Sequence, residues 1–128
     1  MSTKLKLRQQ LGRYAVSKLD RAAAIPPWAD GNGFVSISRT PSELSIVCLA
    51  DRVPTEIMAS RAWTCFELVG PFAFDETGIA VAVLQPLSNQ KIGVFLVATF
   101  DTDYLLVQEK DLAAAKQALI AAGYTLVA

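Results

Sequence analysis

"VGPFAFDETGIAVAVLQPLSNQKIGVFLVATFDTDYLLV", residues 69–107, decides the fold. A Gly-Pro pair closes one extended run and punctuates the chain. "TGIAVAVLQPLSNQ" reads as a mostly apolar helix packed on a sheet, with Pro86 expected to kink it or remove one backbone bond. The runs ending in "VFLVA" and starting "YLLV" have strand length, and polar "TFDTD" lies between them, which is the pattern of a hairpin. The stretch therefore reads as strand end, helix, strand, turn, strand.

Working outward, "CFELVG" from Cys65 supplies a strand before it. "DLAAAKQALIAAG" supplies a second helix after it, with Asp111 as expected N-cap and Gly123 as the stop. "YTLV" closes the unit, which is β-α-β-β-α-β. Residues 33–51 repeat residues 93–111 at a shift of 60: Gly33 meets Gly93, Ile37 meets Val97, Ile46 meets Leu106 and Asp51 meets Asp111. The turns "TPSE" and "FDTD" are expected to be equivalent. The first half is a shortened copy. Its connections "DRAAAIPPWADGN" and "RVPTEIMAS" leave room for about one helical turn, and two prolines stand in the first. "RAWTCFELVG" must end one half and begin the other. The expectation is an α+β chain with a degenerate N-terminal unit over 1–64 and a full unit over 65–128.

Composition narrows the function. Twelve basic and twelve acidic residues cancel in 128, so no basic face for nucleic acid is implied. No apolar run reaches the ~18 residues of a membrane span. "MSTKLKLRQQLGRY" holds charges and no signal-like apolar run, so a cytoplasmic protein with no membrane partner is expected. There is no histidine, the commonest general base and metal ligand. Cys48 and Cys65 lie in apolar runs without paired spacing and read as reduced core residues. No nucleophile–base pair, metal set or phosphate loop is visible, so neither catalysis nor a cofactor is expected.

The doubled β-α-β-β-α-β order, with the words "VGPFAFDETG" and "ATFDTDYLLV", resembles the ACT domain family over about residues 12–127. Within it the chain is similar to small bacterial tandem-ACT proteins, and so to the ACT pairs of aspartate kinases and of the cytosolic arginine sensor. The resemblance implies ferredoxin-like units, amino-acid binding at the joints between units, frequent dimerisation, and a free-standing regulator.

An amino-acid ligand gives the residues roles. Its carboxylate suits backbone N–H groups at a helix start, here Gly78 and Ile79. Its ammonium suits Asp101, beside Thr99 and Phe100. Asp75 or Glu76 would hold a cationic side chain, which favours arginine or lysine. Plainer readings stand beside these. Asp75 serves equally as an N-cap and Glu76 as a helix-dipole partner. Asp101 and Asp103 are common turn formers, and Asp103 can face solvent. Phe100 can be core, and Trp28 a lid on the shortened half. The alternative to an amino-acid-binding regulator is a ligand-free interaction or oligomerisation module. A homodimer is expected under either.

Overall fold

The computed structural model describes residues 4–73 and 77–127. The chain divides into two compact units, one of residues 1–10 and 64–128, the other of residues 11–63. The division falls within β5 (Ala59–Leu68), the strand expected to serve both halves. No helix among the described residues is long and apolar enough to cross a membrane.

The unit of residues 11–63 is built from β2 (Tyr14–Leu19), β3 (Ser36–Arg39), β4 (Leu44–Leu49) and the start of β5. Its strand order is β3-β4-β2-β5. Where a full unit has helices, this one has single 3₁₀ turns at Pro27–Ala29 and Ala50–Arg52. Ala15, Leu44, Ile46 and Cys48 are buried at its core, and Trp28 packs against them. Trp28 is thus the lid the sequence suggested, and its carbonyl accepts a bond from Arg52 Nε at 3.1 Å.

The other unit carries both α-helices, α1 (Ile79–Asn89) and α2 (Leu112–Ala121). β6 (Val94–Ala98) pairs antiparallel with β7 (Asp103–Gln108), and β7 pairs with β5. A strand that the sequence did not suggest, β1 (Lys6–Gln9), lies between β5 and the closing strand β8 (Thr125–Val127). Its signal is short: Leu5 and Leu7 alternate with charged residues and enter the core. Phe66, Leu68, Leu105 and Val107 of the strands meet Val83 and Leu87 of α1 and Ala115 and Leu119 of α2. Asp111 stands at the N-cap of α2 without a side-chain cap bond, and Gly123, at φ +93°, follows its end.

Pro86 sits inside α1. Proline has no N–H to give the carbonyl four residues back, which is that of Ala82. The Tyr124 hydroxyl, entering from the far end of the unit, donates to this carbonyl at 2.7 Å.

The hairpins of the two units correct the repeat register. Arg39 pairs with Leu44 as Ala98 pairs with Asp103, and the whole ladder follows at a shift of 59. A slip of one residue exchanges the faces of a strand. At 59, buried Ile46, Val47 and Cys48 fall on buried Leu105, Leu106 and Val107. At 60, Cys48 would fall on half-buried Gln108. The 3₁₀ turns 50–52 and 109–111 keep the 59 spacing. Gly33 and Gly93 are therefore not equivalent, and the matching turns are Thr40–Glu43 and Thr99–Thr102. Gly33, at φ +81°, has its own reason: a Cβ there would lie 2.6 Å from Tyr14 Oη, which accepts the Phe34 N–H. Apolar residues are 52% of this chain, so an off-by-one alignment still matches apolar with apolar.

Candidate functional site

Helix α1 opens on Gly78, held at φ +83° with no side-chain cap. The Gly78 carbonyl accepts the Ala82 N–H at 2.9 Å, so the N–H groups before Ala82 have no partner within the helix. They collect the positive end of the helix dipole. A Cβ at Gly78 would meet nothing within 4 Å. The glycine does leave open space, as expected, but its backbone angle already demands it.

Opposite lies the turn between β6 and β7, and its threonines have structural work. Thr99 N–H donates to the Thr102 carbonyl at 2.7 Å, and Thr99 Oγ1 to the same carbonyl at 3.0 Å. Thr102 N–H returns a bond to Thr99 Oγ1 at 3.3 Å. Thr40 makes the same kind of turn with Ser42 and Glu43 in the other unit. Thr102 Oγ1 bonds the Leu68 carbonyl and ties the turn to β5. The Asp101 carbonyl accepts the Phe72 N–H at 2.7 Å. Gly70 permits that approach, because a Cβ there would lie 3.0 Å from the Asp101 carbonyl and 3.1 Å from Phe72 N. The Gly70–Pro71 bond is cis.

With the backbone so engaged, the Asp101 carboxylate is exposed and has no partner among the described residues. Ile79, Thr99, Phe100 and Asp101 line one cleft of about 180 Å³, with Phe72 and Asp103 among the other walls. Gly78 adjoins it through Ile79. These residues all belong to the unit of 64–128, whereas the resemblance had suggested a joint between units. Phe100 is 77% exposed at the rim and is not core. Asp75 and Glu76 lie outside the described residues. Asp103, read from sequence as a turn residue or solvent-facing, is half-buried in this wall, and burial pushes its carboxyl above the usual range.

Asp101 and Thr102 also border a second hollow of about 320 Å³, whose other walls include Arg8, Glu67, Gly70 and Pro71. Arg8 Nη1 stands 3.4 Å from Glu67 Oε1, and Tyr104 Oη donates to Glu67 Oε2 at 3.1 Å. Sequence reasoning missed Arg8 and Glu67 as neighbours of the site. The only signal was the short β1, whose register sets Arg8 beside Glu67.

Size alone would favour a hollow of about 590 Å³ in the unit of 11–63, lined by Leu11, Arg13, Leu49, Asp51 and Arg61 among others. Its Arg61 guanidinium is engaged by the carbonyls of Val53 at 3.1 Å and of Pro54 and Ile57 at 2.8 Å. The smaller cleft has the unengaged carboxylate and the helix start, so we place the candidate site there. Cys48 and Cys65 are free and buried. Burial pushes the Cys65 thiol up to about 12. Among the described residues no cluster of acidic, Cys or His side chains could hold a metal.

A model of the ACT domain matches residues 58–121, and an N-terminal-domain model matches residues 12–56. The cytosolic arginine sensor for mTORC1 subunit 1 of Homo sapiens is 28% identical over 104 residues, covering 75% of this chain and 32% of the sensor. The chain spans 56% of the first curated relative it matches and 27% of the second. A crystal structure from Agrobacterium tumefaciens is 50% identical, with a TM-score of 0.94 over 98% of this chain and 94% of that one. The regulatory subunit of aspartate kinase from Thermus flavus shares the fold, with a TM-score of 0.62 at 8% identity over 94% of this chain and 97% of that one.

Proposed function

We propose that this chain, which belongs to the ACT domain family, is a regulatory module that binds a free amino acid and has no catalytic activity of its own. The observation that carries the reading is the small cleft that joins the start of α1 to the Thr99–Asp103 turn. An α-amino acid presents a carboxylate and an ammonium a few ångströms apart. The N–H groups at Gly78 and Ile79 suit the first, and the Asp101 carboxylate suits the second. Thr99 and Phe100 shape the wall, and Asp75 and Glu76 precede the helix in the chain. Acidic residues there favour a cationic side chain, and a relative is named an arginine sensor. Arginine is therefore the first ligand to test, with lysine second.

In this reading the unit of residues 65–128, completed by β1, carries the site, and the N-terminal unit is its degenerate copy. The chain acts in the cytoplasm as a homodimer. The test is a thermal-shift series with the twenty amino acids, because a ligand bound only by the folded chain must raise its melting temperature. Arginine or lysine raising it is the expected result. If no amino acid does so at millimolar concentration, the ligand-free interaction module replaces this reading.

A further inference from the structure

Strand geometry brings Arg8 and Glu67 together. Side chains alternate between the two faces of a strand. Phe66 and Leu68 of β5, Leu7 of β1 and Leu105 of β7 are buried in the core that the helices cover. Glu67, Arg8 and Tyr104 therefore stand on the opposite face, where the β1–β5 register sets Arg8 beside Glu67. Tyr104 Oη donates to Glu67 Oε2 at 3.1 Å and fixes the carboxylate. Oε1 receives one nitrogen of Arg8, Nη1, at 3.4 Å, longer than the usual N–H···O range. The Arg8 side chain is 47% exposed, against 26% for Glu67. One long contact, made in solvent by a flexible side chain, is weakly held. A guanidinium can give a carboxylate two parallel donors, and Arg8 gives this one a single donor.

Among the described residues, the hollow of about 320 Å³ that holds this pair has three ionisable walls: Arg8, Glu67 and Asp101. With Arg8 turned away, two carboxylates remain, and Tyr104 already fixes one of them. Asp101 and Thr102 are also walls of the cleft of about 180 Å³, so the two hollows adjoin at the same turn.

We propose that Glu67 recognises the cationic side chain of the ligand, and that Arg8 holds that place while the ligand is absent. The assignment rests on the amino-acid-binding reading and names the group that selects among amino acids. With its carboxylate at the start of α1 and its ammonium at Asp101, an arginine has a long, unbranched side chain free to pass Asp101 into the second hollow. Its guanidinium replaces the single Arg8 contact at Glu67 with a paired one, and Arg8 turns out to solvent. A short or uncharged side chain cannot make this exchange and leaves the Arg8–Glu67 pair in place.

Calorimetry of the full chain with arginine, and with citrulline as its uncharged isostere, tests the assignment. The parent should bind arginine about ten- to a hundredfold more tightly than citrulline. Glu67→Gln keeps the side-chain shape and an oxygen for Tyr104, and should bring that ratio near one. Arg8→Met keeps an unbranched stem and removes the competitor. It should tighten arginine binding by about two- to fivefold and so widen the ratio. General damage to the fold cannot produce such a gain. Where lysine is the tighter ligand, norleucine serves as its uncharged partner in the same comparison. A preference for the cationic ligand that survives Glu67→Gln overturns the assignment, and so does weaker binding of that ligand by Arg8→Met. Binding of neutral or acidic amino acids alone overturns it and leaves the amino-acid site standing. A chain that binds no amino acid ends both readings together.

Discussion

Replacing Tyr124 by phenylalanine tests how this sequence tolerates a proline inside α1. Pro86 leaves the Ala82 carbonyl without a helical donor, and the Tyr124 hydroxyl fills the gap at 2.7 Å. The bond is part-buried, so its loss is expected to cost about 1 kcal/mol, counting both the bond and the carbonyl left unpaired. For a chain of this size that is a fall of roughly 4 °C in melting temperature. Pro86→Ala returns an N–H to the helix and gives the Ala82 carbonyl its ordinary partner. In that background Tyr124→Phe should cost well under about 0.5 kcal/mol, so the double-mutant cycle should show a coupling near 1 kcal/mol. Urea unfolding followed by circular dichroism on the four proteins supplies the cycle. Equal costs of Tyr124→Phe in both backgrounds would refute the argument, because the hydroxyl would then not be replacing the missing helix donor.

The remaining predictions concern the cleft and the buried groups. Asp101→Asn keeps shape and, with no side-chain partner to lose among the described residues, should leave stability within about 0.5 kcal/mol. It should lower amino-acid affinity ten- to a hundredfold, as expected for a charge-assisted bond of roughly 1.5–3 kcal/mol, read by calorimetry with the stabilising amino acid. Gly78→Val forces a branched side chain to φ +83° and should cost about 1–2 kcal/mol of stability besides any loss of binding, whereas Gly78→Asn should melt closer to the parent. Asp103 has its carboxyl raised by burial, so the folded chain holds that proton longer than the unfolded one. Stability should fall as pH rises just above the ordinary carboxylate range, and Asp103→Asn should flatten that slope in melts between about pH 4 and 7. Cys65, raised to about 12, should resist iodoacetamide at pH 8 until the chain is unfolded.

The unit of residues 64–128 was legible because its elements are long enough to show a period. Ile79, Val83 and Leu87 recur every four residues along α1, and all three pack into the core. β1 was not legible because four residues with two charges give alternation no room to be noticed. The Arg8–Glu67 neighbourhood was hidden for the same reason, since it exists only through the β1–β5 register. The repeat was visible but one residue out. Its true register is carried by the hydrogen bonds of Thr40 and Thr99 within their turns, and glycine or apolar matches do not report those.

Those turn bonds also explain why the stretch 97–107 carries the polar residues it does. Thr99 closes the turn, Thr102 ties it to β5, and the Asp101 carbonyl holds the loop that begins at Gly70. Three of the four polar groups at the turn are thereby committed or half-buried: Thr99, Thr102 and Asp103. The Asp101 carboxylate is left over, held on a rigid turn beside an uncapped helix start. Turn formation alone needs no carboxylate there, because Thr40–Glu43 makes the same turn with Ser42 in the equivalent place. The difference between Ser42 and Asp101 is thus a difference the fold does not require. A charge that the fold does not use, at the mouth of the cleft, is the feature on which the proposed amino-acid binding by the unit of residues 64–128 rests, and the turn of the other unit lacks it at the equivalent place.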